Sequence, residues 1–287
     1  MGRNGDQAKD SGERAGTLLR GLRLLDYVVD APHALTLAEL AAVTNLDQST
    51  AHRILRQLEE AGYVVRGGAS KRYFASPKVL SPLPLLHPLN QFRRESQPIL
   101  QELAHRISHT VILVGFFGTA RMVIDIAMVP GSVTPYYSTW LQGPLHATGV
   151  GKALLSGLTV DQRLRVLGAN PLTRYTDRTI VDTGVLNEKL ATEPNDRYVV
   201  SNEEYRSGIT NIASVIRTWN QSSFGCLNLS AASAKLDPSK IEHLGRELAA
   251  AVDLITYQAP SLQQASQFTQ FCDVAIGKRP ATAGSPE

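Results

Sequence analysis

The sequence predicts an α+β protein in two parts, an N-terminal winged helix-turn-helix and a C-terminal antiparallel sheet flanked by helices. Three observations predict it. Three amphipathic helix patterns and one short hairpin pattern crowd between residues 17 and 78. Four later segments, TVILVGFFG, ARMVIDIAMV, ITNIASVIR and SFGCLNLSA, are apolar or alternate as strands do. Helical patterns stand before and after those strands. With 287 residues, two domains are the natural expectation, and 43% hydrophobic residues can furnish real cores.

The first helix is read from Leu18, Leu22, Leu25 and Val29 at helical spacing. Thr36 and Glu39 then form a capping box, with Leu35 and Leu40 at the staple positions. This second helix is short, because Asn45 and Leu46 interrupt it. Asp47 is a good N-cap for a third, whose apolar face is Ala51, Ile54, Leu55 and Leu58 and whose end lies near Gly62. Residues 63–65 and 72–74 flank Gly67 and Gly68 as a small hairpin.

In this arrangement the third helix enters a major groove of double-stranded DNA by its N-terminal part. Gln48, Ser49, Thr50, His52 and Arg53 lie there, with almost no acid until Glu59. Arg can pair with guanine and Gln with adenine through two hydrogen bonds each. Arg56 is better placed for a phosphate, and Arg66, Lys71 and Arg72 on the wing suit backbone contacts that position without reading sequence. The alternative is a small helical domain with an ordinary solvated face. The formal net charge of +3 is too mild to decide; the local basic cluster from Arg53 to Lys78 carries the argument.

Residues 1–16 read as disordered, 17–78 as the DNA-binding unit and 79–95 as a linker, where Pro82, Pro84 and Pro88 follow Pro77. Such proline density is expected to prevent one continuous helix. Residues 96–260 form the second domain and 261–287 a tail. A helix is expected from Ser96 to Ser108, then the first two strands around Gly118. Residues 145–155 read as a glycine-rich turn entering a helix. Thr159 and Gln162 cap another, and Val185 to Leu190 suggest one more. The last two strands turn near Asn220, and Asp237 with Pro238 opens a long helix.

Two cysteines, Cys226 and Cys272, furnish neither a disulfide framework nor a metal set, and Cys226 reads as a buried, inert thiol. The absence of a membrane-length apolar run and of a signal-peptide core points to a soluble, cytoplasmic protein. GPLHATGVGKALL fails as a phosphate loop because Lys152 is followed by Ala153 and the glycine spacing is wrong. No nucleophile elbow or zinc motif occurs, and no cofactor is expected. Glu203 and Glu204 would point to opposite sides of an extended chain, as structural or surface acids.

What remains is a binding domain. The amides of Gly149 and Val150 open a helix and make a natural anion site. Asn211, Asn228 and Ser230 on the late strands offer neutral hydrogen bonds, although the two amides can instead satisfy each other or the backbone. Tyr136, Tyr137 and Trp140 can supply an aromatic wall or be core residues. His146 can contact a ligand or cap a loop. No Lys or Arg is expected at this site.

These residues carry a resemblance to the IclR family of bacterial transcription regulators, over roughly residues 17–257. GLRLLDYV with LTLAELAAVTNLDQSTAHRILRQLEEAGYV resembles the family's winged helix-turn-helix. GPLHATGVGKALLSGL is close to its Leu-His-Ala-x-x-x-Gly-Lys-Ala signature, and YVVSNEEYRSGITNIASVI is similar to its Glu-Glu-x-x-x-Gly block. The resemblance implies a GAF-like effector sensor and a homodimer or homotetramer on palindromic operators. Carried over position by position, it implies effector contacts at Gly143, Gly149, Val150, Ser201, Ile209, Asn211, Asn228 and Ser230. Asn211 stands where the family commonly has cysteine, Ser201 where it often has an acid, and Asn228 where it has serine. An amide-lined pocket beside aromatics then suits an aromatic acid or a related amide.

The expected function is ligand-controlled DNA binding at a catabolic operon, with repression favoured over activation by the resemblance. A constitutive DNA-binding factor with an oligomerisation domain and an enzyme with an accessory DNA-binding domain are the alternatives.

Overall fold

The structure is a computed structural model describing residues 16–31, 33–68, 71–79, 86–133, 141, 143–168, 170–192 and 197–267. These fall into two compact units that divide after Pro82.

In the first unit, α1 (Thr17–Asp30), α2 (Leu37–Thr44) and α3 (Gln48–Glu60) precede a hairpin of β1 (Val64–Arg66) and β2 (Tyr73–Ala75). The capping box forms as the spacing predicts: Thr36 accepts from the Glu39 amide while the Glu39 carboxylate accepts from the Thr36 amide at 2.7 Å. Asn45 ends α2 in the left-handed region at φ 53° and so makes the turn into α3. Leu24, Leu40, Ala51, Ile54, Leu55, Val64 and Tyr73 form one core. Each fully buried Leu or Ile there contributes about 1.5–3 kcal/mol. Leu35 also pairs with Tyr73, exchanging two backbone hydrogen bonds of 2.9 and 2.7 Å, so the wing is anchored to the entry of α2.

The second unit is a five-stranded antiparallel sheet in the order β4-β3-β7-β6-β5. Its strands are β3 (Val111–Phe117), β4 (Ala120–Ala127), β5 (Val199–Asn202), β6 (Ile209–Arg217) and β7 (Ser223–Ala232). The long helices α4 (Pro88–Ile107) and α8 (Pro238–Gln258) cover one face, where Phe92, Leu103, Leu113, Leu227, Leu229, Leu248 and Ile255 interlock. The other face packs under α5 (Gly149–Ser156) and α7 (Thr183–Thr192), with Ile112, Val114, Val150, Leu154, Leu186 and Cys226 as its core. Helix α6 (Val160–Leu167) starts at the Thr159–Gln162 capping box.

Three expectations need correction. Helix α4 begins at Pro88, inside the expected linker, rather than at Ser96. Proline at the first helical position costs no hydrogen bond, and the His87 ring caps the helix by accepting from Leu89 N at 3.2 Å. Pro98 sits inside the helix, held there because Leu89, Phe92, Leu100 and Leu103 are buried around it. The expected tail begins too early: residues 262–267 are helical, and Leu262 and Ala265 join the core. The sequence reading also missed β5. Glu203 follows it at φ 58°, so Glu203 and Glu204 do not lie on an extended chain. Of the disorder expected of residues 1–16, residues 1–15 lie outside the described residues, as do the last residues from Lys278, also read as disordered, and the linker prolines at 82 and 84.

Candidate nucleic-acid interface and effector site

Helix α3 is fixed by its buried side, Ala51, Ile54 and Leu55, which leaves Gln48, Ser49, His52, Arg53 and Arg56 exposed on the other. Its start is held by Asp47, which accepts from Thr50 N at 2.8 Å and from Ser49 Oγ at 2.5 Å. These bonds, the Ser49 hydroxyl first, hold the Asp47 carboxyl well below the usual carboxylate range. Ser49 and the half-buried Thr50 therefore serve the cap as well as the outer surface. Arg53 is exposed and has no side-chain partner among the described residues. Arg56 donates to Glu60 at 3.0 Å, an exposed pair one turn on that is weak enough to exchange for a phosphate.

The wing residues divide. Arg66 is exposed with its guanidinium 5.6 Å from the centre of the Tyr73 ring, and Lys71 is exposed at φ 51°. Arg72 is a strut: it donates to Ala34 O at 2.8 Å and lies 3.6 Å from the Glu39 carboxylate. Lys78, in the basic cluster, donates to Ala61 O at 2.8 Å and so satisfies a carbonyl at the end of α3.

In the second unit the register gathers the effector candidates. Ser201 pairs with Asn211, which pairs with Ser230; Asn228 pairs with Ala213, one step along. Directly paired residues share a face. Ser201, Asn211, Asn228 and Ser230 therefore line the sheet under α5, with Ile209 at the start of the same row. Ser201 is buried and donates to Ala147 O, tying β5 to the loop before α5. Ser230 donates to Asn211 Oδ1 at 2.7 Å, so Asn211 is partly satisfied within the sheet. Asn228 is 3% exposed, yet its Oδ1 has no partner among the described residues.

Gly149 roofs this row. A Cβ there would meet Asn211 Cβ and Asn228 Oδ1, both at 2.8 Å, so the glycine lets the helix start descend onto the two amides. A side chain at position 149 thus has no room above the two amides. Val150 is buried in the core and contributes its backbone rather than its side chain. Thr148 caps the helix, accepting from Gly151 N at 3.1 Å and donating to Pro144 O at 2.8 Å. Gly143 stands before it, and its missing side chain leaves room for Thr148. Trp140, with Tyr136 and Tyr137, lies outside the described residues.

His146, read as a ligand contact or a loop cap, donates from Nε2 to Thr173 O at 2.9 Å. The groups around His146 were missed in the sequence reading. Beside it Tyr175 and Tyr205 stack edge to face with centroids 5.1 Å apart, and Tyr205 reaches toward Gly143. Lys152 is wholly buried and pairs with the buried Glu204, which also pairs with Lys189 at 3.1 Å. The sequence reading also placed no Lys or Arg near the start of α5. Arg121 on β4 is 6% exposed and reaches Gly143 O and Thr148 Oγ1. Burial pushes its pKa down to about 10. Cys226 beside it is fully buried, and burial raises its thiol well above the ordinary range. Among the described residues no group of three His, Cys, Asp or Glu is placed to hold a metal, and no helix is long and apolar enough to cross a membrane.

Both units match known sequences. The family profile described as "Bacterial transcriptional regulator IclR C-terminal" matches residues 88–257, and that described as "IclR helix-turn-helix domain" matches residues 17–68. The chain is 27% identical over 249 residues to the acetate operon repressor of Salmonella typhimurium, covering 84% of this chain and 88% of the relative. It is 27% identical over 257 residues to the HTH-type transcriptional repressor AllR of Klebsiella pneumoniae, covering 85% and 90%. Among solved structures, an IclR homolog complexed with 4-hydroxybenzoate from Microbacterium hydrocarbonoxydans aligns with a TM-score of 0.71 at 21% identity, covering 84% and 99%.

Proposed function

The chain belongs to the IclR family of bacterial transcriptional regulators, and from that premise we propose that it is a ligand-responsive repressor of a catabolic operon, sensing a small organic acid or amide. The enzyme reading falls, because the family and the relatives just named are transcriptional regulators. On our reading the protein acts in the cytoplasm, as a homodimer or homotetramer on a palindromic operator. Gln48, Ser49, Thr50, His52 and Arg53 face bases, and Arg56, Arg66 and Lys71 face phosphates. Arg72 shapes the wing and adds to its positive potential.

The observation that carries the effector reading is the buried polar row under α5. Among the described residues Asn228 Oδ1 has no donor there, at a helix start whose first amides have no acceptor within the helix. Leaving a buried polar group unpaired costs about 1–3 kcal/mol, so such a group on a helix-covered sheet is better explained by a ligand than by packing. Ser201, Ile209, Asn211, Ser230 and the amides of Gly149 and Val150 complete this row. The Tyr205 and Tyr175 pair beside Gly143 favours an aromatic body, with Trp140 as a further wall. The 4-hydroxybenzoate complex of the Microbacterium hydrocarbonoxydans homolog supplies a first probe.

Calorimetry of the full chain with 4-hydroxybenzoate and its amide, on wild type and Asn228→Ala, tests the reading. We expect saturable binding that weakens about tenfold in the variant, the range for one hydrogen bond. Binding unchanged in a folded Asn228→Ala protein would place the effector elsewhere. No binding by any small acid or amide would favour the constitutive factor instead.

A further inference from the structure

One charge in the sensor unit lacks a counterpart. Arg121 leaves β4 opposite Phe116 and is 6% exposed. Its Nη2 donates to Leu141 O at 3.2 Å and to Gly143 O at 2.5 Å, and its Nη1 lies at the limit of hydrogen bonding from Thr148 Oγ1, at 3.5 Å. Its Nε is buried and has no partner among the described residues. Among the described residues the only titratable group acting on it is the Cys226 thiol, which burial keeps protonated. Taking a cation out of water costs several kcal/mol unless an anion answers it.

Its surroundings compound the cost. Thr148 is the N-cap of α5, so Arg121 sits at the end of the helix that carries partial positive charge. The other end of the same helix shows the opposite arrangement: Arg163 donates to Leu155 O at 2.8 Å, where the dipole favours a cation. The buried Lys152 has Glu204. Arg121 alone of these three cations stands where both the dipole and the lack of a carboxylate oppose it. The guanidinium lies 3.5 Å from the N-cap hydroxyl of the helix whose first amides are free, and both groups attract an anion.

We propose that Arg121 is the charge-recognising residue of the effector site, pairing with the carboxylate of an organic acid seated at the start of α5. This rests on the effector reading above and narrows it: the ligand is an acid, and its amide is rejected. The guanidinium offers its unpartnered Nε to one carboxylate oxygen, while the Gly149 and Val150 amides meet the other. Asn228 Oδ1 accepts from a donor on the ligand body. The Gly143 and Leu141 carbonyls hold the fork in place.

The test compares acids with their own amides by calorimetry on the full chain. Acetate, benzoate, phenylacetate and 4-hydroxybenzoate are titrated beside acetamide, benzamide, phenylacetamide and 4-hydroxybenzamide, into wild type, Arg121→Met and Arg121→Lys. Wild type is expected to prefer at least one acid over its amide by about 10–100-fold, the range for bonds made to a charged group. Arg121→Met is expected to lose that preference by weakening the acid more than its amide. Arg121→Lys keeps the preference at reduced strength, and it carries the comparison if the methionine variant does not fold. An amide bound as tightly as its acid, or a preference that survives in folded Arg121→Met, overturns the inference and leaves the effector reading standing. A panel in which nothing binds wild type overturns both.

Discussion

Arg53 and Lys71 leave different elements, and their losses are expected to differ in kind. Arg53 projects from the exposed side of α3, while Lys71 stands on the wing. Arg53→Ala is expected to cost about 1–3 kcal/mol on the specific site and to relax base preference. Lys71→Ala is expected to weaken all sequences alike and to flatten the salt slope. Competition with specific and scrambled duplexes separates them, and equal losses on both duplexes for Arg53→Ala remove its base-reading role. In the sensor unit, Lys152→Met would strand the buried Glu204 with only Lys189 at its side. Breaking a buried pair from one side costs about 3–5 kcal/mol, whereas Lys152→Met with Glu204→Leu should recover much of that. Urea unfolding of the three proteins reads the difference; a double variant no more stable than the single one contradicts the account of this pair.

Helix α5 meets the sheet through glycines, so its geometry depends on missing side chains. Gly149→Val would press a branched chain against Asn211 and Asn228, where even a Cβ comes to 2.8 Å. Overpacking of this kind costs about 1–3 kcal/mol, and the helix start must lift off the polar row. The unfolding midpoint should fall and effector binding should weaken more than in Asn228→Ala; a variant as stable as wild type would show that the contact yields freely. Much of this element was legible beforehand. The Thr36–Glu39 and Thr159–Gln162 boxes and the Asp237–Pro238 start are local chemistry, written within four residues of one another, and all three formed. Asn211, Asn228 and Ser230 were read from the late strands and Ser201 only by resemblance; that the four share a face depends on the register of strands far apart in sequence. Arg121 was hidden for the same reason. Within ARMVIDIAMV it resembles a charge at a strand's edge, and only its pairing with Phe116, beyond a bulge in β3 and β4, turns it under α5. The start of α4 was misread because proline density was weighed as helix breaking. Pro88 instead occupies the one helical turn that tolerates it.

At the scale of the whole molecule, a regulator needs its two binding events to influence each other. The net charge of +3 is small, so DNA affinity should rest on the local basic cluster and fall steeply with salt. If the effector binds the sheet face under α5 and changes operator affinity by some factor, operator DNA must change effector affinity by the same factor. Couplings of this kind are typically about 5–150-fold. The most direct measurement titrates the full chain with a DNA site selected by the protein itself, with and without a saturating acid from the panel. It then titrates the acid with and without that DNA. The account predicts two shifts of equal size, both lost in Arg121→Met while its DNA affinity without the acid stays at the wild-type value. An acid that binds under α5 yet leaves DNA affinity unchanged would contradict it.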